Sequence, residues 1–435
     1  MGITGKARAF RRTLKLDSHH AIERFGVFVA AFALTGIAVI SGSVISALQT
    51  GSDVLSRTAL YTTTFTTSKT ALKGDVDGVF TNTRGDKTLV MMHFPASAAI
   101  SHNAADYQAF LLGSDTDLTN ETVTTSDIAG TIHVFGSTGY LGILLTAHRN
   151  FDEQVLNLTI RANAELSYDE TVHRQAGVDE MTDDASFRKF DQWRVFINPG
   201  ATAITTIPAL DAPSFDPTRA YYDVVLKPQE GTARAKLDQK LLAMRANLAQ
   251  IESYTSDLRT TQVDGLFLRP PPPPAMMTGD KITGVSAAEA RDGVSTLTLH
   301  TDHVVPGGLN LSWRTGDVYH GYLDVVVPPG QNYAEFLARK RDEKADTATQ
   351  QISDMPWILS DGSNLRSDYQ TSDVTMRPLT TVMNNLSQAY QDYAKNKAAY
   401  QSELTLDLLR LDANLRDVRS NSSVHDGSHV VTTLY

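Results

Sequence analysis

Residues 25–52 read FGVFVAAFALTGIAVISGSVISALQTGS, 28 residues without one charge. A helix rises about 1.5 Å per residue, so about 20 apolar residues cross a bilayer core of roughly 30 Å. Phe25 to Leu48 meets that length and is apolar on every side, unlike a surface helix with one buried stripe. Before it stand Lys6, Arg8, Arg11, Arg12, Lys15 and Arg24 against only Asp17 and Glu23. That bias predicts a cytoplasmic N-terminus and an extracytoplasmic bulk. The competing reading is a cleaved secretory signal, for which Ile45-Ser46-Ala47 offers small residues. The apolar run exceeds the roughly 7–15 residues of a signal core, so an uncleaved anchor is the expectation. Ala38, Gly42 and Ser46 recur every fourth residue, a spacing that lets membrane helices approach closely.

Working outward, the chain of 435 residues has room for two or three domains. The segment before the apolar run is basic while the whole chain carries −10, so the remainder is acidic. An acidic region beyond the apolar run argues against nucleic acid as a partner, because phosphate binding requires clustered Lys and Arg. There is no cysteine. Disulfides, thiolate metal sites and a cysteine nucleophile are therefore excluded.

Beyond the apolar run the period is two. In 53–165, Leu89, Met91 and His93 alternate with Val90, Met92 and Phe94, apolar on both faces, as in a central strand. Leu156, Leu158 and Ile160 lie opposite Asn157, Thr159 and Arg161, the pattern of a half-buried strand. Turn residues at Thr83–Asp86 and Gly136–Gly139 separate such runs. These features predict an antiparallel β-sandwich of immunoglobulin-like architecture. Residues 166–227 read as a second small β unit or an extension of the first, with strands at Trp193–Asn198 and Tyr221–Leu226.

The period then changes. Leu237, Leu241, Met244, Leu248, Ile251, Thr255 and Leu258 are spaced alternately four and three apart, predicting a heptad helix over 228–262 with Thr232 as its cap. Pro270–Pro274 make 263–282 a stiff linker. A second β unit is expected over 283–330, from Ser295/Leu297/Leu299 and Leu309/Leu311/Trp313. A helix and an irregular segment fill 331–377. Residues 378–419 read as a long heptad helix through Leu386, Tyr393, Tyr400 and Leu404, resuming after one extra residue at Leu408, Leu411 and Leu415. A slip of that kind locally unwinds a coiled coil. Residues 420–435 read as a mobile polar tail. The expected fold class is thus a single-pass membrane-anchored α+β chain with β-sandwich modules and a coiled-coil pair or bundle.

Catalytic chemistry is hard to find. No G-x-S-x-G, H-E-x-x-H or phosphate-binding loop occurs. Ser186 and Lys189 have serine–lysine spacing, but no K-T-G follows. His300 and His303 could bring two imidazoles together, but with 300 in a strand and 303 in a turn they are expected to be exposed separately. The oxygens of Asp115, Asp117, Asn120 and Glu121 lack the spacing and glycine of a calcium loop. Arg84-Gly85-Asp86 is integrin-type adhesion chemistry and equally good turn chemistry. The expectation is no catalytic residue, no cofactor and no metal. It is a structural or assembly component of a bacterial envelope complex, in contact with the lipid bilayer and with other envelope proteins or copies of itself. The alternative is a surface adhesin or receptor binding through its β modules.

Overall fold

The computed structural model describes residues 56–114, 128–162, 190–343, 347–369, 374–427 and 430–433. Two larger β-sheets, a two-stranded ribbon and a layer of helices make up a mixed α+β fold. The larger sheet has the order β1-β2-β3-β6-β5-β12, with β9 beside β2; the smaller is β13-β4-β7-β8. The strands of the larger sheet are β1 (Thr64–Thr66), β2 (Lys73–Thr81), β3 (Lys87–His93), β5 (Ile128–Val134), β6 (Tyr140–Ala147), β9 (Thr205–Thr206) and β12 (Ser423–His425). Those of the smaller are β4 (Tyr107–Ser114), β7 (Val155–Ala162), β8 (Gln192–Ile197) and β13 (Val431–Thr433). Seven of them, β2-β3-β6-β5 over β4-β7-β8, follow the ABED-over-CFG connections of a constant-type immunoglobulin sandwich.

Alternation explains how three layers form. Val90 and Met92 of β3 face the smaller sheet and meet the core made by Leu111, Leu158, Ile160 and Val195. Leu89 and Met91, one residue out of phase, face the other way, in the core that includes Leu210, Ala220 and Tyr221. The inter-sheet core is anchored by Trp193, whose ring lies 5.5 Å from Phe65, 5.3 Å from Phe94 and 6.3 Å from Tyr107.

The helical layer starts at α1 (Pro217–Tyr221), passes through a π-helical turn (Tyr222–Leu226) and continues as α2 (Lys227–Thr260). Short helices follow: α3 (Leu323–Val326), α4 (Tyr333–Asp342) and α5 (Thr347–Ser353). The second long rod is α6 (Arg377–Ala398), a π turn (Ala399–Leu404) and α7 (Thr405–Asn421). Lys240 donates to Asn396 at 3.1 Å, and Tyr390 bonds to Thr255 farther along, so α2 and α6 run antiparallel.

The expected fold class is corrected on three counts. First, among the described residues no helix is long and apolar enough to cross a membrane. The segment 25–52, with Ala38, Gly42 and Ser46, lies outside the described residues, and the single-pass anchor and its cell-membrane location are not carried forward. Second, the heptad helices do not make a long coiled coil. The second rod is interrupted by a π turn at Ala399–Leu404, and the apolar face of each is shared with Leu297, Trp313, Trp357 and other residues of the segment between the rods. The seam residues Leu237, Leu241, Met244, Ile251, Leu386, Tyr393, Tyr400, Leu408 and Leu415 are buried in that globular core, while Leu248, Leu404 and Leu411 are partly buried against it. Third, the described residues form no row of β modules. The 283–330 region contributes β11 (Thr298–His300), paired with β10 (Lys281–Thr283), and is otherwise irregular or helical.

Local corrections follow from the same physics. Tyr221–Leu226 is helical, not extended, because Asp216 accepts from the Thr218 N–H and Pro217 occupies the first turn. Thr232 does not cap α2; its hydroxyl donates back to the Pro228 carbonyl inside the helix. The prolines do not form a free spacer, since Pro271 and Pro274 are buried. The sandwich does not close at residue 165: β8, β12 and β13 come from beyond it. The expected polar tail supplies two of those strands.

His133 lies where the sheet meets the helical layer. It is 5 % exposed, its Nε2 pairs with Thr131 Oγ1 at 2.8 Å, and its ring lies 4.5 Å from Phe215. Burial holds its pKa down to about 4, against the opposing pull of Asp426. An unfolded histidine titrates near 6.5. The folded value is depressed, so this histidine costs nothing above about 6.5. As pH falls towards 4 the unfolded chain takes up a proton that the folded chain refuses. Stability should fall by about 1.4 kcal/mol per pH unit, to a total of about 3 kcal/mol. In urea unfolding between pH 7.5 and 4.5, His133→Gln should lose less stability than wild type. Parallel losses would refute the assignment.

Candidate functional site

The residues with most chemistry gather where α6 ends. Lys397 and Asp280 form an ion pair at 2.7 Å with both side chains 0 % exposed. The Lys397 ammonium also donates to the Met276 carbonyl and to Thr301 Oγ1 at 2.9 Å. Tyr393, one turn earlier on the same face, donates its hydroxyl to Asp280 Oδ2 at 2.6 Å. Burial lowers the Lys397 pKa while Asp280 opposes the shift. Three acceptors surround the nitrogen and a neutral amine has only two hydrogens to give, so lysine is held as the ammonium. Burial and the Asp280 charge push the Tyr393 hydroxyl far above its ordinary range. It is a permanent donor.

The π turn that follows extends this site. A π turn takes in one extra residue and breaks the regular helical bonding. Here the Gln401 carbonyl accepts from Leu309 N–H at 2.8 Å, and the Tyr400 carbonyl accepts from Thr405 Oγ1 at 2.7 Å. The Gln401 side chain is fully buried and accepts from Val305 N–H at 3.0 Å. Trp313 donates its indole N–H to the Tyr400 hydroxyl at 3.0 Å. Segments 276–280 and 301–313 are thus both pinned to the same two turns of helix.

Beside this cluster lies a cavity of about 570 Å³. Ala275, Met276 and His303–Pro306 form one wall; Gln388, Gln391, Asp392, Lys395 and Ala398 form the other, with Gln351 at the side. The lining is mostly amide and aliphatic. Its carboxylate, Asp392, already accepts from Gln388 at 3.0 Å.

Two more buried charge clusters brace the helical layer. Glu230 is bonded by Arg234 at 2.7 Å, by the Tyr222 hydroxyl at 3.2 Å and by Val318 N–H at 3.2 Å. Desolvation and the Glu230 charge push Tyr222 up to about 12. Asp412 accepts from Tyr322 N–H at 2.6 Å, Leu323 N–H at 2.7 Å and Arg416 at 3.0 Å. Bonding to Asp324 and Asp412 raises Arg416 further above its already high value.

The motifs singled out in the sequence fare differently. Tyr393 and Tyr400 of the heptad seam fall in this site, Tyr393 facing Asp280 and Tyr400 facing Trp313. Asp280, Lys397 and Gln401 were not expected as site residues. The one available signal was a lysine at a seam position among leucines and tyrosines. His300 pairs with Thr283 at 2.9 Å while His303 lines the cavity, and no group of metal-binding side chains occurs among the described residues. Arg84-Gly85-Asp86 sits in the β2–β3 hairpin with Gly85 at φ +72°. Asp86 turns inward to accept from Asn82 at 2.6 Å, so the tripeptide serves the turn. Ser186, Lys189, Asp115, Asp117, Asn120 and Glu121 lie outside the described residues.

Lys397→Met would leave Asp280 buried without its counter-charge, at an expected cost of about 3–5 kcal/mol. Lys397→Met combined with Asp280→Leu removes both charges and should regain most of that loss. Urea unfolding of the wild type, single and double variants completes the cycle. A double variant as unstable as the single would show that the charge pair is not the source of the loss.

No protein-family model, no curated protein and no solved structure matches this chain.

Proposed function

We propose that this chain is a structural component of a multi-protein assembly, acting as a braced body and not as a catalyst. The observation that carries this reading is how its buried charges are used. Lys397–Asp280, Glu230–Arg234 and Asp412–Arg416 each tie backbone or side chains far apart in sequence to a helix. Such groups rigidify and specify a fold as their partners are present; the Lys397 ammonium has all of its acceptors, while Asp280 is bonded through Oδ2 alone. The partners proposed are other proteins or a second copy; a net charge of −10 argues against nucleic acid. The membrane anchor and the envelope setting expected with it form no part of the proposal.

A second reading, ligand binding, is favoured by the cavity beside α6, which falls within the usual size of small-molecule sites, roughly 300–1,000 Å³. It places recognition in the helical half and not in the β-sandwich.

The deciding experiment is the mass and composition of the native particle, isolated under mild conditions from the source cells. A large particle with defined stoichiometry is the expected result. A lone monomer that gains thermal stability from a small polar metabolite would overturn it and move the assignment to ligand binding.

A further inference from the structure

The sandwich is completed by residues that belong to the helical rod. α7 ends at Asn421, and one extended residue, Ser422 (φ −64°, ψ 141°), leads straight into β12. β12 pairs with β5 (Val424 opposite His133), and β13 then lies parallel to β4 (Val431 opposite Ala109). The two strands therefore close one open side of the sandwich, β12 on the larger sheet and β13 on the smaller. Val430 is 1 % exposed within the inter-sheet core. Gly130 makes room for its neighbour: a Cβ there would lie 2.2 Å from Val431 Cγ2. Polar contacts complete the seat. Ser423 Oγ donates to the His102 carbonyl at 2.8 Å and accepts from Ala104 N–H at 2.9 Å. His425 Nδ1 donates to the Tyr107 carbonyl at 3.0 Å.

This groove between β4 and β5 is specific, and its occupant is two three-residue strands, β13 beginning at Val431 directly after the buried Val430. The hold is modest in extent. Each strand is three residues long, β13 pairs in the weaker parallel sense, and Val424 is 53 % exposed. With the strands displaced, β4 and β5 present unpaired edges and an apolar slot, which template pairing with another chain. We propose that β12 and β13 are exchangeable, and that the groove of one copy accepts these strands from a second copy of the chain. Exchange of an identical element is a low-cost route to association, closing as a dimer or propagating as an open chain. The inference rests on the structural-component reading and names self-association as its mode.

The absence of cysteine from the chain makes the test direct. Full-length Ala109→Cys and full-length Val431→Cys are prepared separately, mixed, incubated and oxidised with glutathione disulfide. Exchange places the two cysteines opposite each other on different chains. The expected product is a covalent species of twice the chain mass, containing one of each variant and not formed by either alone. The double variant Ala109→Cys/Val431→Cys, at low concentration, reports whether the register permits a bridge within one chain. If it closes and the mixture stays monomeric, exchange is overturned. If it fails to close, the register on which the proposal rests is wrong, and the proposal falls as well. A native particle with other proteins but no cross-linked pair would defeat exchange while leaving the structural-component reading in place.

Discussion

The ion pair between Lys397 and Asp280 has no solvent to share its charge, and the helical half is arranged to satisfy it. Moving an ammonium and a carboxylate out of water costs several kcal/mol each, and mutual attraction offsets this only when the remaining hydrogens also find acceptors. Met276 O and Thr301 Oγ1 supply those acceptors, and they lie on two separate segments. Tyr393 occupies Asp280 from the same helix face. The requirement to satisfy one charge therefore fixes residues 276–280 and 301 against one turn of α6. The π turn immediately after it fixes 305 and 309 in the same way.

The same solution recurs wherever the chain between the rods is irregular. A buried backbone N–H must be bonded, and a segment whose described residues form only two three-residue strands has few partners of its own. Glu230 takes Val318 N–H, Asp412 takes Tyr322 and Leu323 N–H, and Gln401 takes Val305 N–H. Arg314 does the converse, donating to the carbonyls of Ser295 and Leu297. Polar side chains on the long helices thus do the work that neighbouring strands do in a sheet. This is why Glu230, Lys397, Gln401 and Asp412 are buried on faces otherwise lined by leucine and tyrosine.

That exchange of roles also sets what the sequence makes legible. The strands read well in their apolar faces: Leu156, Leu158 and Ile160 point into the core, and β3 is apolar on both faces because both faces are covered. The half-buried reading of β7 is corrected, since Thr159 and Arg161 on its polar face are buried as well. Alternation misleads at Leu297, Leu299 and Trp313. Their side chains are buried against helices, while no sheet forms around them beyond the β10–β11 ribbon. Tyr221–Leu226 is too short a run for its period to separate strand from helix, and the cap at Asp216 decides it. The heptads mark both rods, but they do not say that the apolar face is shared with the segment between them. The extra residue after Leu404 is visible as a slip; its physical form, a π turn with carbonyls free to bind a loop, is not. Among the candidate site residues only Tyr393 and Tyr400 were in view. Asp280 is a lone acid after a glycine, and nothing local marks it as the partner of a lysine more than a hundred positions away.

The sandwich is tied to the helical half by specific groups, which makes it a dependent part of the fold. In the β5–β6 turn, Ser137 gives both its N–H and its hydroxyl to Asp417 of α7, at 2.6 and 2.9 Å. Gly136 is required beside it: its φ is +57°, and a Cβ would come within 2.4 Å of the Asp417 carboxylate. One turn further along the helix, β12 and β13 leave α7 to close the groove between β4 and β5. Asp417 therefore fixes the height at which α7 delivers those strands, and Gly130 fixes the depth to which Val431 seats. A strand supplied by a rigid helix meets its groove at one register only. The pairing is accordingly specific in register although it is short in extent, and the core around Val430 is complete only while strands carried by an α7 helix occupy the groove.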